Sequence, residues 1–174
     1  MKRAVIISGN LAQDHEFIYP YYRLLEEGYK IDVCLLEGKP VQGIAGTKIP
    51  PNKDQVIKKI DEISVNDYQI LVIPGGVKAM EKVRQDKKII NFISEFDKQK
   101  KVIACICSGA QLLISAKVVK GRKIAGYYSM EDDLINAGAI YTDLPAVVDK
   151  NIITTAHYKD MGPWMKAVIE RLNQ

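Results

Sequence analysis

Four short apolar runs, rich in β-branched side chains, constrain the fold more than any other feature of this sequence. Each run is bounded by charged residues, glycine or proline, and none alternates apolar with polar side chains. Strands that are apolar on both faces are typical of parallel sheets, because helices cover such sheets on both sides. The runs lie at residues 4–7, 31–36, 70–73 and 102–106.

Segments with helical spacing separate these runs, at residues 17–27, 53–63 and 87–98. The alternation of strand and helix predicts an α/β fold with a mostly parallel sheet between two layers of helices. Further helices are predicted at 108–118, 130–136 and 163–172, short strands at 124–126 and 140–141, and a hairpin over 146–154. Because no segment has the composition of a linker, residues 1–174 are predicted to form one domain.

Composition narrows the class of protein. A chain of 174 residues with 47% hydrophobic and 26% charged residues is typical of one globular domain with a substantial core. Its three cysteines include no C-x-x-C pair and its two histidines lie far apart, so we expect neither a disulfide framework nor a metal site, and a reducing cytoplasm. The N-terminal apolar run is too short for a signal peptide or a membrane span.

The distribution of charges and glycines argues against nucleic-acid and nucleotide binding. The net charge of +4 comes from lysines that are spread along the chain and mixed with acidic residues. Nucleic-acid binding is disfavoured, because it would require a dense basic stripe interleaved with aromatic side chains. The glycine-rich segment 38–46 lacks the spacing of a phosphate-binding loop, so no nucleotide or other cofactor is expected.

Chemistry in a sheet of this kind is expected just after the strands, since ligands bind outside their carboxyl ends. One such segment is Cys107-Ser108-Gly109, where a buried strand runs straight into a helix. This pattern resembles a nucleophile elbow, and the amides of the following helix are expected to lower the thiol pKa below about 8.5. The alternative is a buried structural thiol, which is how we interpret Cys34 and Cys105.

Two other segments follow neighbouring strands. Gly75 and Gly76 offer bare backbone amides that, with the amide of Ser108, are candidates for holding a developing oxyanion. Glu16 precedes an apolar helix, where an acid caps the helix and pairs with its dipole. Alternatively, Glu16 lies beside Cys107 and exchanges a proton with it, which requires Glu16 to be protonated when the sulfur is charged.

Several segments together resemble the PfpI intracellular protease family, over nearly the whole chain. They lie at residues 16–24, 26–29, 71–76, 107–116, 121–123 and 132–139. The resemblance implies a flavodoxin-like three-layer sandwich of the class I glutamine amidotransferase-like superfamily, which includes glyoxalase III enzymes, protein deglycases and a Parkinsonism-associated redox protein. It also implies homo-oligomers, either dimers or hexamers, with active sites near subunit contacts.

The resemblance also assigns roles to residues. Cys107 falls on the family's nucleophile, Glu16 on the acid that hydrogen-bonds it, and Gly75, Gly76 and Ser108 on the oxyanion-hole region. Glu81 can be placed on the acid that relatives lend to a neighbouring subunit's site.

One departure from the family pattern affects the predicted chemistry. The family reads Cys-His-Gly, whereas this chain has Ser108 after Cys107, so the adjacent imidazole is missing; Ala110 also replaces the usual proline, and Gln13 a frequent acid. Amide hydrolysis needs a positioned acid or base at two steps, to activate the nucleophile and to protonate the leaving amine, so proteolysis is disfavoured. His157 is a candidate substitute from another segment, although we favour its interpretation as an exposed loop residue.

The sequence therefore predicts a cytoplasmic PfpI-type enzyme that uses Cys107 covalently on a small carbonyl compound or a peptide. Glyoxalase or deglycase chemistry survives the loss of the histidine better than proteolysis, because attack on an aldehyde expels no amine in its first step. Two alternatives stay open. One is a non-catalytic redox or stress sensor based on an oxidisable low-pKa thiol, and the other is a scaffold oligomer.

Overall fold

The computed structural model describes residues 1–174. Strands and helices alternate along the chain, as the sequence predicts. The strands are β1 Arg3–Ser8, β2 Lys30–Leu35, β3 Val41–Gln42, β4 Lys48–Ile49, β5 Ile57–Lys58, β6 Ile70–Ile73, β7 Val102–Ile106, β8 Lys123–Ile124, β9 Ile140–Tyr141, β10 Val147–Asp149 and β11 Ile152–Thr155. The helices are α1 Asp14–Glu26, α2 Val77–Val83, α3 Lys87–Lys98, α4 Ala110–Ser115, α5 Glu131–Asn136 and α6 Met161–Leu172.

A seven-stranded sheet forms the centre, in the order β10-β11-β7-β6-β1-β2-β5. Every neighbouring pair is parallel except β10 with β11, which form the predicted hairpin. The four central strands that the apolar runs predict are almost entirely buried. Two small ribbons, β3 with β4 and β8 with β9, lie outside this sheet.

Helices cover the sheet on both sides, which confirms the three-layer α/β sandwich. α1 and α6 pack together against β2, β7 and β11, whereas α2, α3 and α4 pack with one another and against β1 and β7. The apolar stripe that the sequence predicts on α3 is buried, at Ile89, Ile90, Phe92, Ile93 and Phe96. None of the helices combines the length and hydropathy needed to cross a bilayer.

One helix prediction is wrong and another is too long. Residues 53–63 form no α-helix, because Ile57 and Lys58 pair with β2 at the sheet edge and residues 60–62 form a single 3-10 turn. The apolar residues of this segment recur with a helical spacing, but pairing with the open edge of the sheet stabilises a short strand instead. The helix predicted over 108–118 is shorter, since it begins after a 3-10 turn at Cys107–Gly109 and ends before Lys117, which has φ +59°.

Candidate active site

Cys107 occupies a sharp turn between β7 and α4. Its backbone has φ +59°, in the left-handed region that side chains other than glycine rarely adopt. Gly109 allows this turn, because a Cβ there would lie 2.8 Å from the carbonyl oxygen of Ile73. The strand-to-helix elbow that the sequence predicts is therefore present, and it leaves the Cys107 side chain half-buried while Cys34 and Cys105 are buried.

Glu16 lies beside Cys107, in the first turn of α1, with no solvent exposure. Gly75 permits this approach, because a Cβ there would overlap the Glu16 carboxylate and lie 2.8 Å from Cys107 Cβ. Neither carboxylate oxygen of Glu16 makes a hydrogen bond of normal geometry. Burial raises the pKa of Glu16 to about 8, although the nearby Cys107 thiol and Gly75 amide lower it.

The prediction of a lowered thiol pKa is wrong. Burial first, and the charge of Glu16 second, raise the pKa of Cys107 to about 12. The amide of Ser108 and its hydroxyl, whose Oγ lies 3.9 Å from Cys107 Sγ, lower that pKa only in part. The cost of desolvating the thiolate thus outweighs the amides of a six-residue helix. Near neutral pH the two groups act as one pair that gives up a single proton.

A cavity of about 430 Å³ opens in front of the sulfur. Among the predicted site residues, Cys107, Ser108, Gly76 and His157 line it. Gly75 and Glu16 do not line this cavity, and the Gly75 amide is directed at the Glu16 carboxylate. Of the three residues whose amides the sequence offers for an oxyanion hole, Gly76 and Ser108 line the cavity and Gly75 does not.

Glu81 lies in a second, neighbouring cavity, together with Arg84 and Asp133. Val77, Gln111, Ser129 and Met130 line both cavities, so the two adjoin. Glu81 does not line the Cys107 cavity within this chain.

His157 also lines the Cys107 cavity and is half-buried, which corrects the favoured interpretation as an exposed loop residue. Strand register explains the placement. Thr155 pairs with Ile106 where β11 runs parallel to β7, so the residues that follow leave the sheet side by side. Sequence spacing could not reveal this, because the two strands are far apart along the chain.

The sequence missed several lining residues, namely Ile44, Val77, Tyr127, Ser129, Met130 and Tyr158. Ile44 reaches the cavity because the β3–β4 hairpin folds back over α1. The buried Asp14 carboxylate holds this hairpin by accepting the Ala45 and Thr47 amides at 2.7 and 3.0 Å. Tyr127 also lies at the cavity wall. No local signal marks these positions.

A larger open groove of about 750 Å³ lies on the other side of the β3–β4 hairpin. Its walls carry lysines and amides, at Lys39, Lys48, Lys53, Lys82, Asn52 and Gln55. It contains no thiol and no residue of the Cys107 cavity, so the smaller cavity is the candidate active site.

Comparison with known proteins identifies the family of the chain. The model of the DJ-1/PfpI family matches residues 2–171. Deglycase PfpI of Pyrococcus furiosus is 36% identical over 170 residues, 98% of this chain and 99% of that protein. Protein/nucleic acid deglycase 2 of Escherichia coli is 33% identical over 163 residues, 93% of this chain and 91% of that protein.

The fold has close structural counterparts as well. A two-domain protein from Anabaena variabilis, with DJ-1/ThiJ/PfpI-like and ferritin-like domains, matches with a TM-score of 0.91 at 29% identity. The match covers 99% of this chain and 48% of that one. The family resemblance predicted from the sequence is confirmed, and the chain belongs to the DJ-1/PfpI family.

Proposed function

We propose that the protein is an enzyme of glyoxalase or deglycase type, in which Cys107 attacks the carbonyl carbon of a small reactive aldehyde or of the adduct that such an aldehyde forms. The observation that carries the proposal is the pair formed by the half-buried Cys107 and the fully buried, unpartnered Glu16. Two relatives that cover over nine-tenths of the chain are named deglycases, which supports this reaction class.

The first step uses this pair, two backbone amides and solvent. Ionised Glu16 takes the proton from the Cys107 thiol, and the sulfur forms a bond to the carbonyl carbon. The π electrons of the carbonyl move to its oxygen, which faces the amides of Gly76 and Ser108. That oxygen then takes a proton from solvent in the cavity, and Glu16 gives up its proton to solvent, so a neutral hemithioacetal results and no external oxidant or reductant is used.

The pKa values set the pH at which this step is fast. Below about pH 8 both Glu16 and Cys107 are protonated, so the pair lacks a base. Loss of one proton from the pair activates it. The rate should therefore rise with pH and level off above an apparent pKa near 8.

Peptide hydrolysis has less support. The family's imidazole next to the nucleophile is replaced by Ser108, whose hydroxyl lies 3.9 Å from the sulfur and does not protonate a leaving amine at neutral pH. The redox-sensor alternative is weakened for a different reason. It requires a low-pKa thiol, whereas burial and Glu16 raise the pKa of Cys107.

The implied oligomer bears on Glu81. Its cavity adjoins the Cys107 cavity and opens to solvent, so a neighbouring subunit could receive this carboxylate at its own site. The contribution of Glu81 to a partner's site, in a dimer or a hexamer, stays a prediction.

Turnover measurements test the proposed function. Loss of methylglyoxal and appearance of lactate should depend on Cys107, and Cys107→Ser should lower kcat/KM by more than about 10³-fold. Cys34→Ala, which removes a buried thiol elsewhere in the sheet, is the matched control and should leave the rate unchanged. Equal rates for wild type and Cys107→Ser would overturn the proposal, and Cys107-dependent cleavage of a fluorogenic peptide would restore the protease interpretation.

A further inference from the structure

We propose that His157 is a substrate-binding donor: its Nε2–H hydrogen-bonds the second oxygen of a vicinal dicarbonyl whose first carbonyl is attacked by Cys107. This inference rests on the proposed function for the class of electrophile. It assigns to His157 a role that differs from that of the imidazole missing next to Cys107, because His157 acts on the substrate and not on the thiol.

The hydrogen bonds of the ring determine what it can do. Nδ1 of His157 accepts the backbone N–H of Lys159 at 3.1 Å, at the start of the 3-10 turn Tyr158–Asp160. A neutral imidazole that accepts at Nδ1 carries its proton on Nε2. Nε2 is then a donor without a free lone pair, so it cannot take the proton of Cys107. No protein group bonds Nε2, which is free for a ligand.

Aromatic packing fixes the plane of the ring. The His157 ring lies against Tyr158 with centroids 4.0 Å apart, and Tyr127 and Tyr128 lie on it at 6.4 and 6.3 Å. Tyr158 is held in turn by His15, at 5.2 Å. A ring constrained by packing and by one backbone hydrogen bond presents its remaining N–H in a defined direction, which is what a specificity contact requires.

The placement of donors around the cavity suggests two oxygens in the substrate. Gly76 and Ser108 line the cavity at the starts of α2 and α4, and in the proposed reaction their amides hold the oxygen of the attacked carbonyl. His157 follows β11, so it reaches the cavity from a different element than the two amides do. A simple aldehyde has no group for this second donor, whereas a vicinal dicarbonyl has one on the adjacent carbon.

Covalent trapping tests the inference without requiring turnover. Reversible addition of methylglyoxal or of propionaldehyde to Cys107 is measured as protection of the thiol from iodoacetamide. His157→Phe keeps a ring that can pack on Tyr158 but removes the donor. We expect its apparent affinity for methylglyoxal to fall about tenfold, with propionaldehyde addition and the alkylation rate without aldehyde unchanged. Tyr22→Phe, at an exposed position of α1 that does not line this cavity, is the matched control and should change none of the three.

The other outcomes contradict the inference. A lower alkylation rate in His157→Phe would mean that the ring acts on the thiol, and an equal loss with both aldehydes would place it at the attacked carbonyl. Methylglyoxal affinity unchanged by His157→Phe, or no protection of the wild-type thiol, would also overturn it. If protection depends on His157 but methylglyoxal is never consumed, the proposed function fails and the binding role stands.

Discussion

Two buried carboxylates, one at each end of the sheet, have opposite surroundings and opposite pKa shifts. Asp32 lies towards the amino ends of the strands and places one oxygen, Oδ2, 2.6 Å from Arg3, 3.0 Å from Lys58 and 2.8 Å from the Tyr68 hydroxyl. Burial alone would raise its pKa, but these hydrogen bonds and the two positive charges lower it. Glu16, at the carboxyl ends, has no cation and no hydrogen bond of normal geometry, and its pKa rises to about 8.

The difference separates a structural group from a reactive one. A carboxylate that is fully paired stays ionised and contributes to stability, whereas one that is buried without partners is held at a cost and keeps a proton near neutral pH. Such a group can both accept and donate a proton at the pH of the cell. The strained backbone of Cys107 lies next to Glu16 and not next to Asp32. Backbone strain and an unfavourably buried carboxylate therefore both occur at the carboxyl ends of the strands.

The largest expected effect is on the activity of Glu16→Gln. This variant keeps the size of the side chain but removes the only base beside the sulfur, so Cys107-dependent turnover of methylglyoxal should fall by roughly 10²- to 10⁴-fold. The rise of rate near pH 8 should disappear with it. Asp32→Asn is the matched control, because it neutralises the other buried carboxylate, and its activity per folded molecule should equal that of the wild type. Comparable losses of activity in both variants would mean that Glu16 is no more reactive a group than Asp32.

The second effect concerns stability as a function of pH. The pKa of Glu16 is raised in the folded state, so the folded protein holds the proton more tightly and loses stability as pH rises from about 4.5 towards 8. Glu16→Gln should therefore match the wild type near pH 4.5 and exceed its free energy of unfolding by about 4 kcal/mol at pH 8. Urea unfolding of both proteins at several pH values measures this. Parallel curves would show that Glu16 ionises as easily in the folded chain as in the unfolded one.

The sequence predicted the scaffold of this site better than its electrostatics. Hydrophobic runs and turn residues are local signals, and they suffice for the central strands and the elbow at Cys107. The pKa of that thiol depends on how deeply Glu16 and its neighbours are buried, which only the packed fold determines. The expectation that amides at the start of a helix lower a thiol pKa therefore gave the wrong direction of the shift. His157 and Ile44 reach the cavity through strand register and a folded-back hairpin, both of which are long-range.

The third effect is the stability of Asp32→Asn. The change leaves Arg3 and Lys58 without their shared anion, and because each is about a quarter exposed, the loss should be modest, about 2 kcal/mol at pH 7. The pKa of Asp32 is lowered in the folded state, so its contribution is present above the unfolded pKa and is lost as pH falls through the folded value. The difference between Asp32→Asn and wild type should thus shrink in acid, opposite to the trend for Glu16→Gln.

The smallest effect is expected from Tyr68→Phe, which removes one donor to Asp32 and leaves both cations. The Tyr68 hydroxyl is buried and bonds Asp32 Oδ2 at 2.8 Å, so its loss should lower the free energy of unfolding by about 1.5 kcal/mol. In Asp32→Asn the same hydroxyl has only a neutral acceptor, so Tyr68→Phe should cost less in that background. Denaturant unfolding of the four proteins in this double-mutant cycle measures the coupling. Strictly additive changes in the free energy of unfolding would mean that the Tyr68 hydroxyl does not stabilise the charge of Asp32. The paired carboxylate Asp32 and the unpaired carboxylate Glu16 would then differ less than their geometry indicates.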